Sequence, residues 1–198
     1  MKRKGLYHPA LVVLHWLTTL LLALTFGLGA WVLVRMPNTP AKVVPLEVHM
    51  ALGVSLLVLT LARGLVRLRT KPPKLRTTAG GKDTRPLLVR IARPVQFLLY
   101  VFTFLMALCG VGLALQAGLP QVVLPGGGGR LPEDFYVFPL RDVHAILSTI
   151  LALLVVLHLL TWIHYQFLRG VNALAWIWFQ SRRVRPEAGR DTERKPHG

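Results

Sequence analysis

The chain has a single cysteine, Cys109, among 198 residues. One thiol excludes an internal disulfide framework and any multi-cysteine metal cluster, and its setting in an apolar run makes it a small packing residue. Acidic side chains are scarce as well, with eight Asp and Glu against 24 Lys and Arg. The resulting net charge of +16 would suit a nucleic-acid partner in a soluble protein, so the positions of the charges decide its meaning. No phosphate-binding loop is present, because the run Gly126 to Gly129 is followed by Arg130-Leu131 rather than by Lys-Ser or Lys-Thr. That run reads as a flexible loop.

Apolar length is what the chain has in quantity. It is 53% hydrophobic and only 16% charged, with a mean hydropathy of +0.50, the profile of a polytopic membrane protein. Four stretches approach the ~20 residues that a spanning helix needs: Pro9 to Val34, Val48 to Val66, Pro94 to Gln116 and Val143 to Leu168. The expectation is an all-α, membrane-embedded four-helix bundle. Met1-Lys2-Arg3-Lys4 opens like a secretory signal, but the apolar run behind it is too long and has no small-x-small cleavage site.

Charge position then fixes the topology. Twenty of the 24 basic residues fall before the first stretch, between Arg63 and Arg93, or from Arg169 onward. The other side carries Arg35, Lys42, Arg130 and Arg141, balanced by Glu47, Glu133, Asp134 and Asp142. By the positive-inside rule both termini and the middle connection are cytoplasmic. The basic patches are topology signals and contacts for anionic lipid, which argues against a nucleic-acid partner. The connection Thr70 to Thr84, with Pro72-Pro73 and Gly80-Gly81, reads as a flexible loop. Residues 1–181 form one membrane domain that ends in a short interfacial helix, Val171 to Ser181, carrying Trp176 and Trp178. Residues 182–198 form a basic tail expected to be disordered.

Histidines carry the chemistry. His144 and His158 lie fourteen residues apart in the uncharged fourth stretch. Fourteen steps of an α-helix return to nearly the same face while climbing about 21 Å, so the two imidazoles face one way but cannot share a metal. Each needs a partner from another helix, because a histidine within the bilayer is costly unless something engages it. Up-down topology brings His15 to the depth of His158 in the cytoplasmic half, and His49 to the depth of His144 in the outer half. Zinc would want four ligands, and the three histidine-bearing stretches hold no Cys, Asp or Glu to complete them. Iron in a porphyrin needs only two axial groups. With no C-x-x-C-H attachment motif, two haems b are expected, each closed by two imidazoles and suited to carrying electrons rather than binding oxygen.

Other residues support this reading less strongly. Gly53 lies four after His49, Gly27 and Gly29 stand in the first stretch, and Gly110 and Gly112 in the third. They could admit a flat macrocycle or serve close helix packing. Arg63 and Arg67 could meet haem propionates or anchor the helix end at the headgroups. His164 and His8 sit near the cytoplasmic ends of their helices, where a quinone headgroup, a proton relay or a plain interfacial role are all open. His197 is in the charged tail.

With these residues in hand, the chain resembles the bacterial cytochrome b561 family from Tyr7 to Phe167. The resemblance rests on Leu14-His15-Trp16-Leu17, Val48-His49 with Gly53, Arg63 to Leu68, Val143-His144 and Leu157-His158. It implies a four-helix di-haem protein of the bacterial inner membrane with His15 paired to His158 and His49 to His144. It also implies electron transfer coupled to ubiquinone, with superoxide oxidation as the best-known activity. The chain departs from the family near the start of the third helix, where Arg93 and Gln96 replace histidines, and at Cys109, where a proline is common. Two other readings compete. One is a membrane cytochrome b subunit that passes electrons between a redox protein partner, such as a hydrogenase or dehydrogenase, and quinone. The other is a haem-free transporter or structural bundle, which would be colourless.

Overall fold

A computed structural model describes residues 9–70, 87–124, 129–164 and 167. The interfacial helix at 171–181, the basic tail, His8, His197 and most of the 70–84 connection lie outside the described residues. Helix α1 spans Pro9–Gly27 of the described residues. It continues through a π-helical turn, Leu28–Leu33. A short 3-10 turn, Pro40–Lys42, leads into α2, Val43–Arg69. Then come α3, Leu87–Gln116, a one-turn α4, Pro120–Val123, and α5, Pro139–Ile163. No strand occurs among the described residues.

Four segments are long and apolar enough to cross a membrane: Pro9–Leu33, Pro40–Arg69, Ile91–Gln116 and Pro139–Ile163. The protein is a multi-pass membrane protein built as a helical bundle. The second and third helices run longer than the apolar stretches predict. α2 begins five residues early at Val43, and α3 carries Pro94 inside the helix rather than at its start. Within the spans, threonine hydroxyls donate back to carbonyls one turn earlier, Thr18 to Leu14 at 2.6 Å and Thr19 to His15 at 2.8 Å. Such internal pairing satisfies polar groups where no water can.

α2 packs against α1 and α3, and α3 against α5. One end of the bundle carries Arg67 and Arg69, and we call it the basic end. The opposite, neutral end is closed by its connections. There α3 stops in a Schellman arrangement: Gly118 takes a φ of +64°, Leu119 N–H donates to the Ala114 carbonyl at 2.9 Å and Gly118 N–H to that of Leu115 at 3.2 Å. Leu119, at 3% exposure, folds onto Ala114, Ala117, Leu46 and Val123 in the packed cluster of the molecule. Lys42 ties this end together, its Nζ donating to the Met36 carbonyl and to Asn38 Oδ1, both at 2.9 Å, and lying 5.6 Å from the Phe135 ring. Asn38 Nδ2 in turn donates to the Glu133 carbonyl at 3.0 Å, joining the two connections.

Candidate functional site

Steps of seven residues keep one face of a helix inward with only a small angular drift, so they sort the bundle interior into layers. On α2 the positions are His49, Leu56 and Arg63, and on α5 they are His144, Leu151 and His158. The middle members are among the most buried side chains, with Leu56 at 4% and Leu151 at 2% exposure. α3 runs through Gln96, Thr103 and Gly110, with Thr103 at 7%, and α1 through His15, Leu22 and Gly29. The neutral-end layer therefore holds two histidines and two glycines. The basic-end layer holds two histidines, an arginine and a glutamine. An apolar layer, relieved only by Thr103, separates them.

In the neutral-end layer, the His49 and His144 rings face each other across the bundle with centroids 6.4 Å apart and planes at 74°. Two imidazoles on opposite sides of one metal, each at the roughly 2 Å metal–nitrogen distance of a histidine ligand, have centroids about 6 Å apart. Each ring is backed by a glycine from a neighbouring helix. A Cβ at Gly29 would lie 3.0 Å from His49 Cε1, and one at Gly110 would lie 3.1 Å from His144 Cε1. The π-helical turn contributes here, because it re-phases the last turn of the first span and contains Gly29. By contrast, no protein atom lies within 4 Å of a Cβ built at Gly27 or Gly53.

The basic-end layer brings His15, His158 and Arg63 within electrostatic reach of one another. The Arg63 guanidinium carbon stands 4.9 Å from the centroid of the Tyr100 ring of α3. Arg67, one turn nearer the helix end, is exposed. His164 is half-buried in the last described turn of the fourth span, and near it the buried Nε1 of Trp162 has no hydrogen-bond partner.

The donor set fits a two-coordinate demand. Among the described residues no three His, Cys, Asp or Glu side chains converge to hold a metal ion by themselves. Glu47 and Asp142 do lie inside α2 and α5, two residues before His49 and His144, but both are exposed. The Nδ1 atoms of His15, His49 and His144 are buried without a hydrogen-bond partner, a costly state for a ring that engages nothing. Paired imidazoles, glycine-backed rings and unsatisfied ring nitrogens together suit a flat macrocycle that brings its own four equatorial donors, so haem fits these residues.

The layer pattern shows what sequence reading leaves out. Gly29 and Gly110 are visible as small residues, but which glycine meets which histidine depends on helix pairing and on the π-helical turn. The correspondence between Arg63 and His158, each fourteen residues beyond a neutral-end histidine, is legible in the sequence once α2 is numbered from His49.

The family model described as prokaryotic cytochrome b561 matches residues 6–179. No curated protein and no solved structure matches the chain.

Proposed function

This chain belongs to the prokaryotic cytochrome b561 family, whose members carry electrons through haem b in the membrane, and from that premise we propose a path through two haems b. His49 and His144 hold one at the neutral end, and His15 and His158 hold the other at the basic end. The observation that supports this most directly is the facing of His49 and His144 at 6.4 Å, each ring seated on a glycine. Haem bound there would supply a one-electron iron couple, held by these imidazoles. Arg63 stands in the layer of His15 and His158 as a fixed positive charge beside the basic-end haem, whereas the exposed Arg67 serves better as a headgroup anchor.

In this reading the basic end faces the cytoplasm of a bacterial inner membrane, with both termini on that side. The reaction is oxidation of superoxide at the outer face coupled to reduction of ubiquinone. Two superoxide anions each give up one electron and leave as dioxygen, while one quinone takes two electrons and two protons to become quinol. The chain's part is to fix the rings, exclude water with the apolar layer between the two pairs, and present a donor to the quinone. The buried, unpartnered Trp162 N–H is such a donor for a quinone carbonyl oxygen.

Purified protein tests this directly. Two haems b per chain, low-spin in the oxidised form, together with quinol formation that depends on added superoxide, are expected. Reduction only by a copurified soluble redox subunit would favour the partner-coupled cytochrome instead. A colourless preparation made with ample haem supply would overturn the reading.

A further inference from the structure

The two histidine pairs stand in unlike surroundings. Around His49 and His144 the other two helices contribute glycine, His144 feels the His49 ring, and the carboxylates nearest in sequence, Glu47 and Asp142, are exposed. The nearest basic residue along α2 is Lys42, two turns away, and its ammonium is turned into the connections, where Met36 and Asn38 hold it. Around His15 and His158 the other two helices contribute Arg63 and Gln96.

We infer that Arg63 makes the basic-end pair the stronger electron acceptor of the two, so that an electron entering at His49 and His144 is held preferentially at His15 and His158. The inference rests on the di-haem reading above. It also follows from position. Arg63 lies fourteen residues beyond His49, on the inward face of α2 and about 21 Å along the helix, at the level that His158 occupies on α5. Arg63 also lies within electrostatic reach of His15, the other ring of that pair.

The side chain is held in place rather than free to reach headgroups. Its Nε is buried, and its guanidinium lies over Tyr100. Arginine keeps its charge at any accessible pH, so the field at this layer is fixed. Other charges on the described spans lie at their ends. Arg67, Arg69 and Arg93 are exposed, as is Glu47, and Arg141 pairs with Asp142 at 3.0 Å in the first turns of α5. A centre that gains an electron gains a negative charge, and a nearby cation in a weakly screening interior favours that state. The pair beside the fixed cation is therefore the easier one to reduce.

Spectroelectrochemical titration of the full chain in detergent tests this, comparing the natural protein with R63Q and R63K. Repeating the titration in an H144A background, which keeps only the basic-end pair, assigns the waves. The natural chain is expected to titrate in two waves, the higher belonging to the basic-end pair. R63Q should keep two haems and lower that wave alone, by at least tenfold in the equilibrium constant, about 59 mV for one electron. R63K should hold it near its natural position. A higher wave that belongs to the neutral-end pair overturns the inference. So does an R63Q protein with both waves unmoved, as when a propionate cancels the guanidinium charge. If R63Q fails to bind haem, R63K decides: the natural order of waves supports the inference and a reversed order overturns it. Fewer than two haems in the natural chain would instead sink the di-haem reading, before any variant is made.

Discussion

Gly29 of the first span and His49 of α2 are packed so that a single added methyl would stand 3.0 Å from the imidazole Cε1. Real side-chain carbons do not sit comfortably at that separation, so Gly29→Ala must turn the ring or push the helices apart. Overpacking of this kind costs about 1–3 kcal/mol. G29A is expected to lower haem occupancy at the neutral-end pair and to alter the low-spin electron paramagnetic resonance signal of what remains. G27A is the control. Two residues away, Gly27 lies roughly 200° around the helix, and a Cβ there meets no protein atom within 4 Å. Equal spectra for G29A and the natural chain would show that the glycine does not set the ring's orientation.

The separation of the two pairs predicts independent losses. His144→Ala removes one imidazole of the neutral-end pair while leaving His15 and His158, fourteen residues along α5, with their partners. Each of H144A and H158A should therefore bind half the haem of the natural chain, and the two half-filled proteins should differ in spectrum. Haem quantified per chain checks this. Loss of all haem from both variants would mean that the pairs are not separate sites.

Much of this was legible in the residues themselves because membrane burial leaves few polar side chains to interpret. The four spans, the fourteen-residue interval between His144 and His158, and the concentration of basic charge at one end follow from hydropathy and helical pitch alone. The neutral-end closure was not. The run Gly126 to Gly129 reads as a loop, but nothing in the sequence reading shows that just upstream Gly118 terminates α3 and sends Leu119 back into a packed cluster. Lys42 reads as one charge in a neutral balance, yet it is 8% exposed and bridges a connection. Those outcomes depend on long-range neighbours such as Glu133 and Phe135, which periodicity along one helix cannot supply. The early start of α2 has a similar origin, since Leu46 is drawn into the same cluster.

Lys42 should matter for stability and not for haem number. The residue is 8% exposed and its ammonium makes two hydrogen bonds, to the Met36 carbonyl and Asn38 Oδ1, and hydrogen bonds to a charged group contribute about 1.5–3 kcal/mol each. Lys42→Met keeps the apolar stem and leaves both acceptors unmet. We expect the variant to retain the haem content of the natural chain but to lose its Soret band at a lower temperature in a detergent melt. An unchanged melting temperature would show that water or lipid headgroups satisfy those acceptors equally well.

Leu151 stands midway between His144 and His158, and at 2% exposure it is the most buried large side chain among the described residues. With Leu56 of α2 it forms the apolar layer between the two histidine levels. Leu151→Ala removes three carbons from a site that is almost fully closed to solvent, and such truncations cost about 2–5 kcal/mol through lost transfer energy and the cavity left behind. Because Leu151 is two helical turns from either imidazole, the penalty should fall on the bundle rather than on the ligands. L151A is therefore expected to bind the same amount of haem with the same spectra at low temperature, yet to melt earlier than the natural chain. L151M, which nearly conserves volume, should recover most of the loss. A changed haem spectrum in L151A with unchanged stability would instead indicate that Leu151 touches a macrocycle directly and that the layers are closer than helical rise allows.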